Sequence, residues 1–277
     1  MTARLALGVA LAALACAVPC PRQAAAQLYP AQATRYLLTT EARDARALWV
    51  NPAGLARGVE ASVGVDATMD GADASVRLQQ YGATLMSRNF AVGWIHDAYP
   101  GGASSDNYAL GAGLGDEVLS MGVSRRWFGG RDGDRAWDLA LRARATATLD
   151  LSVVWRNVGS PVVRDSIYPA SVVPAAGVHS RSGRLGAGVE LDLRTDLGAI
   201  RELRAGASVA AGTHLLVGLR GEFSSSLDRR GFAVSVTWLT SRVRSTVVAV
   251  LPPDAGSIDA LGAAGAMIAT PETRTRR

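Results

Sequence analysis

The chain has 277 residues, a formal net charge of +5, 30 glycines and a mean hydropathy of +0.14. The positive charge is small for this length and scattered along the chain, which argues against a nucleic-acid-binding protein. Beyond the first segment no apolar run is long enough for a membrane-spanning helix, and apolar residues instead recur in short alternating stretches.

The first 26 residues have the features of a secretory signal peptide. A basic start is followed by an apolar stretch over 5–18 and by three alanines at 24–26, which predict cleavage before Gln27. Cys16 and Cys20 leave a lipoprotein signal open as an alternative. Cleavage at the alanines removes both cysteines, so we expect no disulfide, thiol nucleophile or cysteine metal site in the mature chain.

Residues 27–59 form a separate N-terminal segment. Its stretch 39–47 (TTEARDARA) predicts a short helix with a threonine N-cap and an acidic first turn. Pro52 and Gly54 stop this helix from continuing, because proline lacks a backbone donor and glycine weakens helices.

The four residues Asn51, Pro52, Ala53 and Gly54 predict a compact elbow into the first strand. Pro52 pushes Asn51 toward an extended conformation, and the asparagine side chain is suited to bond the backbone two residues on. Gly54 permits a positive φ at the end of the turn.

From Glu60 onward the pattern changes to strict alternation of apolar and polar residues, which is typical of β-strands with two different faces. The clearest stretch, 184–194, alternates leucine, alanine and valine with arginine, glycine, glutamate and aspartate. We count 12 to 14 such stretches, separated by turn signals and longer than ordinary globular strands. The sequence therefore predicts an all-β fold, an antiparallel transmembrane β-barrel over 60–270, with a basic tail at 271–277.

Export, strand length and aromatic placement favour the barrel over the alternative of a soluble secreted β-protein. Aromatic residues recur at strand ends, as membrane-interface girdles require. The apolar face then meets lipid and the polar face lines the lumen. The aromatic residues are Trp94, Tyr99, Trp127, Phe128, Trp137, Trp155 and Trp238, and the lumen-facing charged candidates are Arg142, Arg144, Glu190, Asp192, Arg220 and Glu222.

The stretch 45–57 (ARALWVNPAGLAR) resembles outer-membrane transport proteins of the FadL/TodX-like group and the related PorV/PorQ-like barrels. The first resemblance implies passage of small hydrophobic compounds, with residues 27–59 lying in the lumen as a hatch. The second implies a non-enzymatic scaffold or shuttle for a secreted protein. Three alternatives stay open: a plain turn at 51–54, a scaffold, and a barrel domain of a larger envelope protein.

The sequence carries no enzyme motif. His96, His179 and His214 are dispersed, and neither a nucleophile elbow nor a phosphate-binding loop occurs. The acidic turn 132–134 lacks the spacing of a calcium loop. We expect no catalytic residue, metal or cofactor, a bacterial outer-membrane location, and as partners outer-membrane lipid, the barrel-assembly machinery and either hydrophobic small molecules or a secreted protein.

Overall fold

The structure, a computed structural model, describes residues 34, 37–56, 59–70, 77–98, 102, 104–129, 134–163, 166–240, 242–252 and 258–268. The predicted signal peptide, Tyr99, residues 132 and 133 and the basic tail lie outside these ranges. Within them, no helix is long and apolar enough to span a membrane.

Fourteen antiparallel strands form a closed barrel, which confirms the predicted fold class at the upper end of the expected strand number. Two further short strands, β8 and β9, pair only with each other. The strands are β1 Val59–Asp70, β2 Arg77–Ser87, β3 Phe90–Ala98, β4 Ser104–Gly115, β5 Leu119–Phe128, β6 Arg135–Thr146, β7 Leu149–Val158, β8 Val162–Val163, β9 Ser166–Ile167, β10 Ser171–His179, β11 Leu185–Arg194, β12 Ile200–Ala211, β13 Leu215–Ser224, β14 Arg229–Leu239, β15 Val243–Leu251 and β16 Ala260–Ile268.

The barrel closes where the first and last strands meet. β1 and β16 pair antiparallel, with Val65 opposite Ala263. Closure gives each of the fourteen barrel strands two neighbours and leaves no edge of the barrel sheet unpaired, the requirement for strands that cross lipid.

The apolar face of the alternating pattern points outward. On β6, Leu139 and Leu141 are 42% and 43% exposed, whereas Arg142, the residue after Leu141, is fully buried. In soluble proteins the apolar side chains face the interior. An apolar outer surface around a polar interior is instead the arrangement of a transmembrane barrel.

The two rims of the barrel differ. The turn rim has the short connections 88–89, 116–118, 147–148, 180–184, 212–214 and 240–242 and the start of β1. The loop rim has the connections 71–76, 99–103, 129–134, 159–170, 195–199, 225–228 and 252–259.

Outward-facing aromatic residues are concentrated toward the loop rim on β2 to β7. Tyr108 is the register partner of both Trp94 and Trp127. Phe128 does not belong to this girdle, because it shares the inward register of its partner Asn107. The aromatic girdle at the loop rim is formed by Tyr81, Trp94, Tyr108, Trp127, Trp137 and Trp155.

The predicted helix over 39–47 is wrong. Among the residues of the segment that the structure describes, the one α-helical turn, α1, spans Ala47–Val50, and a 3-10 helix follows over Pro52–Ala56. The backbone of the preceding residues bonds to barrel side chains instead: the N–H of Thr39 donates to Glu190, and the carbonyl of Thr40 accepts from Arg142. These long-range hydrogen bonds replace the helical ones that the local sequence favours.

Candidate functional site

Residues 37–56, here called the lumen segment, lie inside the barrel and touch inward-facing residues around most of its circumference. The N–H of Ala45 donates to Ser62 Oγ on β1 at 3.1 Å. On the opposite side, Thr39 Oγ1 lies 2.7 Å from Ser152 Oγ on β7. All but two residues of this segment, Glu41 and Arg43, are buried.

One side of the lumen segment is apolar and packs on β2 to β4. Leu48, Trp49 and Leu55 form one buried cluster with wall residues that include Met86 and Ile95. The indole Nε1 of Trp49 donates to Thr84 Oγ1 at 2.7 Å, so its one polar atom is satisfied within this apolar contact.

Inward-facing glycines make room for the lumen segment. A Cβ on Gly122 of β5 would overlap the backbone of Pro52 and Ala53, and one on Gly113 would meet the backbone N of Ala56. The segment therefore sits directly against the wall at these positions. Sequence reasoning did not assign this role to glycine, although the signal was present as glycine at inward positions of successive strands: Gly93, Gly111, Gly113, Gly122, Gly177 and Gly188.

The other side of the lumen segment is held by charged side chains that bond its backbone. Arg142 on β6 donates to the carbonyl of Thr40 and, at 3.4 Å, to that of Ala42. Arg156 on β7 donates to the carbonyl of Val50 at 3.1 Å. Because this stretch lacks a regular helix, these side chains satisfy carbonyls that water does not reach.

A carboxylate completes these polar anchors. Glu190 on β11 accepts from the N–H of Thr39 at 2.7 Å and pairs with Arg204 Nη1 at 2.9 Å. Arg204 also pairs with Glu202 at 2.9 Å. Arg204 is thus shared by two buried carboxylates, which compensates part of their desolvation.

Asn51 organises the elbow from a fully buried position. Its Nδ2 donates to the carbonyl of Thr39 at 2.8 Å, and its Oδ1 accepts from the N–H of Ala53 at 3.0 Å. Its backbone is extended, at φ −157° and ψ 95°, as expected before Pro52. Gly54 is not among the residues with positive φ; a Cβ there would overlap the carbonyl of Ala42, so close approach explains the glycine.

Asp44 and Arg46 form a buried ion pair within the lumen segment, with Nη2 and Oδ2 2.8 Å apart. Burial raises the pKa of Asp44, but the charge and hydrogen bonds of Arg46 outweigh it and set the pKa at about 2. Asp44 also raises the pKa of Arg46 against the effect of burial. Arg244 on β15 adds a longer contact, 3.5 Å from Asp44.

The six charged residues expected in the lumen have inward register, but they do not form one cluster. Arg142 and Glu190 contact the lumen segment as described, and Arg220 Nε donates to Glu41 at 2.7 Å. Arg144 lies near the turn rim, where Nη2 donates to exposed Glu117 at 2.8 Å. Asp192 pairs with Arg201 at 2.9 Å, and Glu222 is fully buried.

A second buried network near the loop rim was missed by sequence reasoning. Arg126 donates to Asp138 at 2.6 Å and to Asn157 at 2.7 Å, joining β5, β6 and β7. Its signal was a polar residue at the inward position of three successive strands. The network joins three neighbouring wall strands through buried polar side chains.

The histidines have no shared site. His96 lies on the outer face, in contact with the ring of Tyr81 and 2.9 Å from Asp106. His214 stacks on Trp238 at the turn rim, and His179 ends β10. Among the described residues, no group of three or more His, Cys, Asp or Glu is arranged to hold a metal ion.

Comparisons with known proteins agree on the fold. No protein-family model matches the chain, and no curated protein matches it significantly. A solved structure of a TodX mutant, described as a monoaromatic hydrocarbon channel, has a TM-score of 0.51 at 13% identity and covers 80% of this chain and 93% of its own. Omp33 of Acinetobacter baumannii (TM-score 0.46, 9% identity, 76% and 98% covered) and the KdgM porin (0.35, 10%, 76% and 99%) are more distant in structure.

Proposed function

We propose that this protein is an outer-membrane transport barrel for small hydrophobic compounds, gated by the lumen segment. The observation that carries the proposal is the segment itself: residues 37–56 fill the barrel beside β2 to β7 and are held there by a limited set of anchors. A closed passage with a removable internal segment suits gated transport.

The outer surface supports a membrane location. Apolar side chains cover the outward face of the strands, and aromatic residues gather toward the loop rim, where a membrane interface stabilises them. Short connections typically face the periplasm and long ones the outside. The turn rim is therefore proposed to face the periplasm, which also puts the N-terminal end of β1 there.

Part of the inner wall is suited to apolar solutes. Ala233, Val248, Val250 and Ala260 form an inward-facing apolar cluster on β14 to β16. Charged residues line much of the remaining wall, so this cluster offers an apolar route beside a polar one. The TodX structure of the same fold is a channel for monoaromatic hydrocarbons, which supports the solute class.

A reversible disulfide between the lumen segment and β1 tests whether movement of the segment controls transport. An ideal Cβ on Gly64 of β1 lies 4.0 Å from Cβ of Ala45 in the lumen segment, within the range that a disulfide spans. The double variant Ala45→Cys with Gly64→Cys, oxidised, should lower uptake of a labelled monoaromatic hydrocarbon by intact Gram-negative cells to the level of cells without the protein. Reduction should restore it.

Each single cysteine variant is the matched control and should transport normally under both conditions. Uptake that never exceeds that of cells without the protein, or that is unchanged by oxidation of the double variant, would contradict gated transport. Normal folding of each variant is checked by heat-modifiable gel mobility.

A scaffold or shuttle for a secreted protein is the second candidate. Its supporting observation is the buried charge in the lumen, such as the shared pairing of Arg204 with Glu190 and Glu202, which leaves a stable and polar interior. A scaffold predicts a stable complex with a secreted protein on pull-down from outer membranes. It also predicts that the oxidised double cysteine variant binds this partner as well as the reduced one.

A further inference from the structure

A cavity of about 340 Å³ lies at the turn rim between the lumen segment and the wall strands β6, β7 and β10 to β15. Leu37, Thr40 and Glu41 form part of its inner side, and Gly183 and Gly186 lie at its rim. It is separate from the apolar cluster on β14 to β16, which lies toward the loop rim. Its size suits a small molecule rather than a polypeptide.

Arginine dominates the charge around this cavity. Five arginines and three carboxylates are among its lining residues, so positive charge is in excess. The charged lining consists of Arg43, Arg46, Arg144, Arg220, Arg244, Glu41, Asp44 and Asp150. They come from the lumen segment and from four different strands, so that the barrel interior brings them together.

Two of these arginines have guanidinium nitrogens without a hydrogen-bond partner. Arg46 Nη1 is unpaired although only 7% of the side chain is exposed, and Arg144 Nε has only a long ionic contact, 3.7 Å from Asp150 Oδ1. Arg244 Nη2 lies 3.5 Å from Asp44 Oδ2, beyond normal hydrogen-bond distance, and Asp44 already accepts two hydrogen bonds from the side chain of Arg46. Buried donors of this kind are normally satisfied, so an unpaired guanidinium nitrogen beside a cavity with excess positive charge points to an acceptor.

The rest of the cavity lining includes several glycines and several residues with hydroxyl groups. Gly177, Gly186 and Gly218 leave space, and Thr237 and Thr246 lie with their hydroxyls 3.0 Å apart. Hydroxyls beside guanidinium groups bind oxyanions, because both donate to carboxylate or phosphate oxygens. Arginine presents its donors as a planar fork that matches these groups.

We propose that this cavity binds a small oxyanion with more than one negative charge, either a polycarboxylate or a phosphate. Arg46 and Arg144 supply guanidinium nitrogens without a hydrogen-bond partner, and Arg244 adds a third guanidinium. The Thr237–Thr246 pair supplies one hydroxyl donor. The bound anion compensates the excess of arginine charge. The site does not depend on passage through the barrel, since an anion binds it from the turn rim with the lumen segment in place.

Isothermal titration calorimetry on the full protein in uncharged detergent tests the site, with citrate and inorganic phosphate as the two probes. Sodium chloride is held constant, and a chloride titration serves as the blank. The wild type should bind at least one probe, and the preferred probe identifies the class of oxyanion. Absence of saturable heat with both probes would overturn the proposal.

Substitutions then locate the site. Arg244→Gln and Arg144→Gln should each weaken binding by about tenfold, the effect of losing one charge-assisted hydrogen bond. Arg184→Gln, at an exposed arginine on the same rim outside the cavity, should bind like the wild type. Equal affinity in all four proteins would refute the assignment.

Folding of each variant is verified by heat-modifiable mobility, and Arg244→Lys offers a milder change that keeps the charge. It should bind more weakly than the wild type and more tightly than Arg244→Gln. Competition in the wild type adds a test without substitution: the weaker probe should displace the stronger one if both occupy the cavity. Independent binding of the two probes would contradict a single oxyanion site.

Discussion

The backbone N–H of Thr39 donates to Glu190 Oε2 at 2.7 Å, joining the lumen segment to a strand 151 residues later in the chain. Glu190 is 1% exposed and also pairs with Arg204. A buried carboxylate is thus shared between a wall arginine and a backbone donor. The position of the lumen segment therefore depends on the charge balance of the wall.

Removal of Arg142 should loosen the lumen segment. Arg142→Met keeps the length of the side chain but removes the donors to the carbonyls of Thr40 and Ala42, leaving both buried acceptors without this partner. The cost is about 1–3 kcal/mol for each unsatisfied group. Single-channel recording should show a higher open probability than in the wild type. Arg144→Met, on the same strand but half-exposed, should have a smaller effect; equal effects would contradict the anchoring role.

Larger residues at the inward-facing glycines that contact the lumen segment should displace the segment from the wall. Gly122→Ala puts a Cβ into the backbone of Pro52, and overpacking of this kind costs about 1–3 kcal/mol. We expect faster protease cleavage within residues 37–56 and an intact barrel on gels. Gly265→Ala, where a Cβ meets nothing within 4 Å, is the control and should be cleaved like the wild type.

The lumen segment should detach in acid. The pKa of Asp44 is about 2 in the folded protein against 3.8 as its ordinary value, so its ion pair with Arg46 stabilises the fold fully above pH 4. This stability, about 2 kcal/mol, is lost as the pH falls from about 4 to about 2. Arg46 and Arg244, which face Asp44, stay charged throughout.

Fluorescence of Trp49 reports this transition in a variant whose other tryptophans are replaced by phenylalanine. Its emission should shift to longer wavelength between pH 4 and pH 2 as the buried indole, 5% exposed, meets water. Asp44→Asn in the same background should remove the pH dependence over this interval. A transition of the same size in the Asp44→Asn protein would assign the acid effect to other carboxyl groups.

Brominated lipids should distinguish the outer from the inner tryptophans. Trp137, Trp155 and Trp238 are 41%, 45% and 54% exposed on the outward face, whereas Trp49 lies in the lumen. Lipids brominated along the acyl chain should quench single-tryptophan variants that retain Trp155, and they should leave the Trp49-only variant at its unquenched intensity. Strong quenching of Trp49 would place the lumen segment against lipid and contradict the fold.

The barrel itself was predictable because its signal is local and repeated. A period of two assigns a face to each residue without knowledge of its neighbours, as on β11, where Leu185 is exposed and Glu190 is buried. Fourteen repetitions of the pattern made the fold class robust, although the glycine-rich stretches 100–107 and 252–266, which suit a loop or a weak strand, left the strand number open.

The sequence determined the elbow chemistry of Asn51 and Pro52 and the alternation that separates lipid from lumen, because both depend on residues close together in the chain. Tertiary structure decided what occupies the lumen. The helix expected over 39–47 did not form, since Glu190 and Arg142 bond that backbone from strands that are more than 100 residues away. Which inward arginine anchors the lumen segment and which lines the cavity at the turn rim follows from barrel closure, a long-range relation that local spacing does not contain.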